Sequence, residues 1–375
     1  MCLILKSILL NTKKLAFIIP SLKAGGAERV VSTLATQLVD NFDVMIIVLY
    51  HCTPFYAIDP KVQIKYLKDD YNSTPSIFQS IMNHFDLIRS ARKEIKSYQT
   101  DIIIVFTTIP NIYSIILAKQ LKLKSIISER IHPRFGSISK FWVTLRKWIY
   151  PKTDMLVIQT KDIANYFNDF MRTEKLQIIN NPLSDELANQ KKDIEYSVRK
   201  KHVICVGRLE DQKNQELLIN AFSNIDHSGW KLLLIGQGRN HERYQVLIDK
   251  LGMQESIELV GNAKNIFEYY NTARIFVLSS NYEGFPNALI EAMYFGMACI
   301  ATDCPSGPSE IILDMDNGIL IPVDDQFQLE RNLNTLMQDE VIQTQLGQNA
   351  EQSTAIFNAR SIANTWQELI YNTLK

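Results

Sequence analysis

Short apolar runs alternate with longer segments of helical periodicity along the chain. This alternation predicts βαβ units and parallel sheets, because parallel strands need long crossovers. The strand candidates of the first half are Leu15–Ile19, Val44–Leu49, Ile102–Phe106, Ser125–Ile127 and Met155–Ile158. Those of the second half are Val203–Val206, Lys231–Ile235, Ile257–Val260, Ile275–Leu278 and Ala298–Ala301. Ala27–Val39 and Phe85–Ser97 carry apolar positions at helical spacing.

The chain has 375 residues, more than one ordinary core accommodates, so two domains are expected. The polar stretch Ser184–Lys201 is typical of a linker. We therefore predict one doubly wound α/β domain over residues 1–180 and a second over 181–355. The tail, 356–375, has the apolar spacing of an amphipathic helix.

Composition favours a globular protein, with 46% hydrophobic and 21% charged residues. No run of about 18 uncharged apolar residues predicts a spanning helix. Residues 1–12 are apolar but interrupted by Lys6, so we expect no signal peptide, while a poorly ordered or membrane-touching leader stays open. Five cysteines without a CxxC motif or a neighbouring His pair favour a reducing cytosol over a disulfide or zinc framework.

The net charge of zero conceals a division between the two halves. Residues 1–180 contain 24 Lys and Arg against 14 Asp and Glu, whereas residues 181–375 contain 16 against 26. A basic first half suggests contact with an anionic partner such as phospholipid or a phosphate-bearing acceptor. Chance variation between domains would give the same numbers. The neutral total and the lack of basic–aromatic sheet motifs disfavour nucleic-acid binding.

Three loops after predicted strands carry candidate chemistry, since ligands of open α/β sheets bind beyond the carboxyl ends of the strands. In the first loop, Gly25 and Gly26 would let backbone N–H groups of a helix start approach an anion, although a tight turn alone explains them equally well. The pattern is not G-x-G-x-x-G, so a nicotinamide cofactor is not indicated. In the second loop, Arg208 and Lys213 could neutralise a departing diphosphate, against the alternative of a solvated surface loop.

The third loop contains two glutamates around a helix start. Pro286 suits the first turn of a helix and Gly296 its end. Glu283 then precedes the helix, and Glu291 lies inside it among apolar neighbours. A carboxylate there needs hydrogen bonds, for instance from ribose hydroxyls. The helix start at Gly284–Asn287 would offer N–H groups to a phosphate.

Glu283 and Glu291 reproduce an E-x7-E motif, and the chain resembles glycosyltransferase family 4, whose GT-B fold has two facing Rossmann-like domains and an interdomain cleft. The resemblance covers nearly the full length through motifs whose order and spacing are specific: Gly25–Arg29, Gly207–Leu209, Lys213–Asn214, Gly236–Gly238, Glu283–Glu291 and Ser306–Glu310. It implies that the tail helix packs on the first domain.

The resemblance also implies roles. Arg208 and Lys213 would grip the donor diphosphate, Glu291 the ribose, and Glu283 the donor sugar. The remaining donor-binding positions are Gly25, Gly26, Gly207, Gly236, Gly284, Phe285, Pro286 and Asn287. Transfer in this family retains the anomeric configuration and usually requires no metal, so we expect no cofactor besides the nucleotide-sugar substrate.

On the acceptor side, the resemblance points to Ser128–His132. Many family members have a histidine near the acceptor, but relatives acting on lipid-linked oligosaccharides often carry another residue there. We assign Glu129, Arg130 and His132 weakly to the acceptor side, with Glu129 and Arg130 as the better candidates and a structural role favoured for His132.

The segment 138–150 is aromatic and basic at helical spacing, as in an interfacial helix, and a core helix with a basic edge is the alternative.

The family resemblance leads to a functional hypothesis, which is transfer of a hexose or N-acetylhexosamine from a UDP-sugar to a polyprenyl-diphosphate-linked glycan. The product would belong to O-antigen, capsule or other surface polysaccharide synthesis. The enzyme would work in the cytoplasm, peripherally on the inner face of the membrane. The alternatives are a nucleotide-sugar epimerase of the same architecture and a non-catalytic sugar-binding protein.

Overall fold

The computed structural model describes residues 12–69, 77–135 and 138–375. The predicted leader at residues 1–12 therefore lies almost wholly outside the described residues. The chain divides into two compact units. Unit 1 comprises Met1–Pro182 and Ala359–Lys375, and unit 2 comprises Leu183–Asn358. Within the described part of the chain, no helix is both long and apolar enough to cross a membrane.

Unit 1 is built on a seven-stranded parallel sheet of order β3-β2-β1-β4-β5-β6-β7. Its strands are β1 (Lys14–Ile19), β2 (Asp43–Tyr50), β3 (Gln63–Lys68), β4 (Ile102–Phe106), β5 (Lys124–Ser128), β6 (Met155–Ile158) and β7 (Leu176–Ile178). Its helices are α1 (Gly26–Leu38), α2 (Ile77–Tyr98), α3 (Thr108–Leu121), α4 (Lys140–Ile149) and α5 (Lys161–Asn168).

Unit 2 has a six-stranded parallel sheet of order β10-β9-β8-β11-β12-β13. Its strands are β8 (Lys200–Val206), β9 (Lys231–Ile235), β10 (Ile257–Gly261), β11 (Ala273–Leu278), β12 (Ala298–Thr302) and β13 (Ile319–Ile321). Its helices are α6 (Asp185–Gln190), α7 (Gln215–Ser223), α8 (His241–Lys250), α9 (Ile266–Thr272), α10 (Asn287–Tyr294), α11 (Pro308–Ile311), α12 (Gln326–Gln338) and α13 (Glu340–Ser353).

The last helix, α14 (Ala359–Leu374), belongs to unit 1. It packs on α1, and Trp366 is fully buried in the same core as Phe17 and Phe106. The Trp366 and Phe106 ring centroids are 5.9 Å apart. The apolar stripe of the tail thus completes a core whose other buried members lie between Leu15 and Ile179.

The predicted parallel α/β architecture is confirmed in both units, with two kinds of correction. The predicted linker Ser184–Lys201 is not unstructured, because it contains α6, whose Leu187 is buried, and the start of β8. Three further strands, β3, β7 and β13, were not predicted. All three lie at sheet edges, and β7 and β13 have only three residues each, so little apolar pattern marks them.

Candidate functional site

A buried ion pair joins the second and third candidate loops in unit 2. The Nζ atom of Lys213 lies 2.6 Å from Oε1 of Glu283, and only 16% and 5% of the two side chains are exposed. Lys213 follows β8 and Glu283 follows β11, which are neighbouring strands. The chain reverses its winding direction between these two strands, and ligands of doubly wound sheets bind at such switch points.

The loop that carries Arg208 is tied to the same place by amide hydrogen bonds. Gln212 accepts from the Arg208 guanidinium at 3.4 Å and donates to the carbonyl of Tyr282 at 3.0 Å. The backbone N–H of Asn281 donates to the carbonyl of Gln212 at 2.8 Å. Arg208 itself remains 66% exposed, with Glu210 at 3.2 Å. Arg208 is therefore a solvent-facing cation beside the buried ion pair, and it can turn to an incoming anion.

Two glycines are required by the close packing of these loops. Gly236 has φ +141°, and a Cβ atom there would lie 2.1 Å from the carbonyl oxygen of Gly207. At Gly207, a Cβ atom would lie 3.2 Å from Cε of Lys213, so the lysine stem runs over this glycine. The predicted donor positions Gly207 and Gly236 thus have a demonstrable packing role. Their contact with a donor stays a prediction.

The helix start expected around Gly284–Asn287 is present, with one difference in detail. Pro286 is the N-cap of α10 and not its first residue, which is Asn287. Among the described residues, the N-cap Pro286 makes no side-chain capping hydrogen bond, and Phe285 is buried against the core. Gly307 approaches closely, since a Cβ atom there would lie 2.5 Å from Cδ of Pro286. The backbone N–H of Asn287 donates to the carbonyl of Phe285, and that of Leu289 donates to the carbonyl of Pro286, so the binding of an anion at this helix start stays a prediction.

Glu291 occupies the buried position that the sequence indicated. It lies in α10 and is 6% exposed, and its Oε2 accepts a hydrogen bond from the hydroxyl of Tyr270 at 3.1 Å. Tyr270 lies on α9 and was not singled out in the sequence, because a tyrosine among apolar residues looks like a core residue. This hydrogen bond from Tyr270 helps to fix the orientation of the Glu291 carboxylate.

Two buried thiols lie beside the ion pair. Burial raises the pKa of Cys205 and of Cys304 to about 12, and the negative charge of Glu283 acts in the same direction on both. Both side chains are at most 4% exposed. Cys205 and Cys304 are therefore neutral, unreactive groups that leave the charge of the site to Lys213 and Glu283.

In unit 1, the glycine loop is occupied by an acidic side chain of its own helix. Gly25 is the N-cap of α1, and Gly26 is the first helical residue. Oε2 of Glu28 lies 2.1 Å from where a Cβ of Gly25 would be, and Ser21 donates to Oε1 of Glu28 at 3.4 Å. Burial raises the pKa of Glu28. A carboxylate thus already lies at this helix start, and an incoming phosphate would have to displace it.

The acceptor-side candidate Glu129 is buried and fully engaged. Its Oε2 accepts from Thr108 at 3.0 Å, and its Oε1 accepts from the hydroxyl of Tyr150. Burial raises the pKa of Glu129, and the nearby cation of Arg146 opposes this rise. Because both carboxylate oxygens are used within the protein, Glu129 joins the start of α3 to the residues after α4. These contacts indicate a supporting role, and a contact of Glu129 with the acceptor stays a prediction.

Arg130 lies next in the chain with unsatisfied donors. One guanidinium nitrogen donates to Oδ1 of Asn181, and the guanidinium lies 4.6 Å from the Phe106 ring centroid. The Nε and the second terminal nitrogen are buried and have no hydrogen-bond partner within the part of the chain that the structure describes. Burial lowers the pKa of Arg130 to about 9. Arg130 is therefore the acceptor-side candidate whose surroundings favour an added anion.

His132 is buried and hydrogen-bonded within unit 1. It is 1% exposed, and Nε2 lies 2.9 Å from Oδ2 of Asp162. The backbone N–H of Arg134 donates to Nδ1 at 3.2 Å, so Nε2 carries the proton that is shared with Asp162. Both ring nitrogens have partners within the protein, and the role of His132 toward an acceptor stays a prediction.

Two family models together match nearly the whole described chain. Residues 24–187 match "Glycosyltransferase Family 4", and residues 188–353 match "Glycosyl transferases group 1". The chain belongs to glycosyltransferase family 4. The boundary between the two matches lies close to the division between units 1 and 2.

Two relatives of this glycosyltransferase come from Campylobacter jejuni. One, an N-acetylgalactosamine-N,N'-diacetylbacillosaminyl-diphospho-undecaprenol 4-alpha-N-acetylgalactosaminyltransferase, is 30% identical over 94% of this chain and 97% of its own. The other, a GalNAc-alpha-(1->4)-GalNAc-alpha-(1->3)-diNAcBac-PP-undecaprenol alpha-1,4-N-acetyl-D-galactosaminyltransferase, is 29% identical over 95% and 98%. Among solved structures, Anabaena Alr3699/HepE in complex with UDP has a TM-score of 0.78 at 17% identity, covering 96% of this chain and 100% of its own. This structural similarity confirms the GT-B fold.

Proposed function

We propose that this glycosyltransferase moves a hexose or N-acetylhexosamine from a UDP-sugar to a polyprenyl-diphosphate-linked glycan, with retention of anomeric configuration and without a metal ion. The observation that carries the proposal is the buried contact between Lys213 and Glu283 at the switch point of the unit 2 sheet. The names of the two Campylobacter relatives support the acceptor class. The UDP complex of the Anabaena protein supports the base of the donor.

The donor half of the reaction follows from unit 2. The diphosphate would lie at the start of α10, with Arg208 and Lys213 as its counter-ions. The ribose hydroxyls would donate to Glu291. Oε1 of Glu283 is held by Lys213, whereas Oε2 makes no hydrogen bond among the described residues and keeps a small accessible area. Oε2 is therefore the atom that would accept a hydrogen bond from the donor sugar.

The chemical step needs little else from the protein. The bond between the anomeric carbon and the diphosphate oxygen breaks, and the acceptor hydroxyl enters on the face that the diphosphate leaves. Its proton passes to an oxygen of the departing UDP. Preorganised positive charge stabilises the developing charge of the leaving group, which is the largest contribution expected in such a site.

Unit 1 supports a peripheral contact with an anionic membrane. On α4, Phe141 is 65% exposed and Trp148 is 74% exposed, and the exposed Lys140 and Lys147 lie on the same helix. Exposed aromatic and basic side chains on one short helix suit a headgroup boundary. Sedimentation with vesicles of phosphatidylglycerol should bring the protein down, whereas phosphatidylcholine vesicles should not. Trp148→Ala should weaken the binding.

Nucleotide release tests the main proposal. UDP- and GDP-sugars are offered singly, each with and without a lipid-linked glycan, and released nucleotide and product linkage are measured in the presence of EDTA. We expect release of UDP that depends on the acceptor, and an α-linked product. Conversion of the donor without an acceptor would indicate an epimerase instead. Absence of turnover with every donor by the folded protein would refute the assignment of function.

A further inference from the structure

The Glu283 carboxylate is held by two donors of different kinds. Oε1 accepts from Nζ of Lys213 at 2.6 Å and from Oγ of Ser280 at 2.6 Å. Lys213 is a long, flexible cation with a second task, because the proposed function assigns it to the donor diphosphate. Ser280 is short, neutral and fully buried. The two donors can therefore behave differently when a ligand enters.

Ser280 is fixed from the neighbouring strand. Thr302, the last residue of β12, donates from Oγ1 to the carbonyl oxygen of Ser280 at 2.6 Å, and it is itself fully buried. The backbone N–H of Glu283 donates to the carbonyl of Pro305 at 3.1 Å. The segment from Ser280 to Glu283 is thus tied at both ends to the chain that leaves β12.

We infer that Ser280 is a positioning residue, which keeps the Glu283 carboxylate in its reactive orientation when Lys213 turns from Glu283 to the donor diphosphate. This inference rests on the proposed function and extends it to a residue outside the E-x7-E motif. Ser280 contacts no substrate. It acts through Glu283 by reserving Oε1 and leaving Oε2 to the donor sugar.

The role of Ser280 would affect the binding of the donor sugar but not the binding of the nucleotide. Without the Ser280 hydroxyl, the carboxylate can rotate once Lys213 has turned away, and the sugar loses its fixed partner. A hydrogen bond to a charged group of this kind corresponds to about a tenfold change in rate. The affinity for UDP alone should not change, because UDP has no sugar for Glu283 to orient.

The test compares Ser280→Ala with the wild type in the full chain. We expect kcat with the active UDP-sugar to fall about tenfold, while the dissociation constant of UDP stays within about twofold. Ser280→Cys keeps the volume but has a weak donor, and it should resemble Ser280→Ala. Ser280→Thr keeps the hydroxyl and should recover most of the rate. The matched control is Ser125→Ala, a fully buried serine at the start of β5, which should leave kcat unchanged. An unchanged kcat in Ser280→Ala, or an equal loss of UDP affinity, would overturn the inference.

A second measurement needs no substrate. Thermal unfolding midpoints of Ser280→Ala, Glu283→Ala and the double variant form a cycle that isolates the coupling between the two side chains. We expect the shift caused by Ser280→Ala to shrink by at least about half when Glu283 is absent. Additive shifts would overturn the inference even if transfer is observed. Conversely, coupling without turnover by the wild type would show that Ser280 holds Glu283 and that the proposed function is wrong.

Discussion

Replacement of Lys213 by methionine tests the buried ion pair directly. Methionine keeps most of the apolar stem that lies over Gly207 but removes the charge that faces Glu283 at 2.6 Å. Breaking a fully buried pair costs about 3–5 kcal/mol, because one charge is left without its partner. Lys213 is 16% exposed, and Ser280 continues to donate to Glu283. We therefore expect a smaller loss of stability than for a fully buried pair, of about 2–3 kcal/mol.

The corresponding change in thermal stability is large enough to measure. At about 2–4 °C per kcal/mol for a unit of this size, Tm should fall by about 5–10 °C. Scanning calorimetry of the full chain, with its two units, gives the midpoint of the affected transition. The double variant Lys213→Met with Glu283→Gln replaces the pair by neutral groups and should recover at least half of the loss. The exposed Lys250→Met is the matched control and should change Tm by less than about 2 °C.

Nucleotide addition in the same experiment separates stability from donor binding. A ligand at about 100 times its dissociation constant stabilises the folded state by about 2.7 kcal/mol. UDP should therefore raise Tm of the wild type and of Lys250→Met. It should have a much smaller effect on both variants that lack Lys213, including the stable double variant. Full stabilisation of the double variant by UDP would refute the role of Lys213 as a counter-ion to the diphosphate. An unchanged Tm in Lys213→Met would refute the reasoning on the ion pair.

Three further predictions concern packing, protonation and reactivity. Gly236→Ala should destabilise unit 2 by more than about 2 kcal/mol in urea unfolding, because the new Cβ atom would clash with the backbone of Gly207. Gly229→Ala is the control: Gly229 also has a positive φ but lies in open space, so its replacement should cost only about 1 kcal/mol. Burial lowers the pKa of His132, so the unfolded chain takes up its proton first as the pH falls below about 6.5. The wild type should therefore lose more stability between pH 7.5 and pH 5.5 than the His132→Gln variant does. The variant should also keep its transferase activity. A large loss of activity at constant stability would contradict a structural role for His132. Cys205 and Cys304 should resist a thiol reagent at pH 8 until the chain unfolds, and labelling in the folded protein would contradict their burial.

The central strands could be predicted from the sequence because both of their faces are buried. Ile102–Phe106 and Lys231–Ile235 were predicted with the bounds that the structure has. A strand covered on both faces is a continuous apolar run between turn residues, and little else produces that pattern. Gln63–Lys68 was not predicted because it is an edge strand with no fully buried residue, so polar residues interrupt its apolar sequence pattern.

The residues that support the site were harder to predict than the charged ones. Arg208, Lys213 and Glu283 were singled out because they lie in loops after predicted strands, and because Glu283 forms an E-x7-E motif with Glu291. Ser280 and Tyr270 did not, because a serine or a tyrosine near a turn has many ordinary explanations. Their roles depend on hydrogen bonds of 2.6 and 3.1 Å to residues 3 and 21 positions away, and the sequence alone gives no such distances.

The contact between Lys213 and Glu283 shows why topology, and not local sequence, makes this site. The two residues are 70 positions apart, and each follows a different strand. β9 and β10 extend the sheet to one side of β8, and the chain then returns so that β11 pairs with β8 on its other side. The loops after β8 and β11 therefore leave the same edge of the sheet beside each other, and hydrogen bonds join them. A lysine and a glutamate placed in these loops come into contact. A substitution that moved β11 relative to β8 would disrupt the pair without changing either residue.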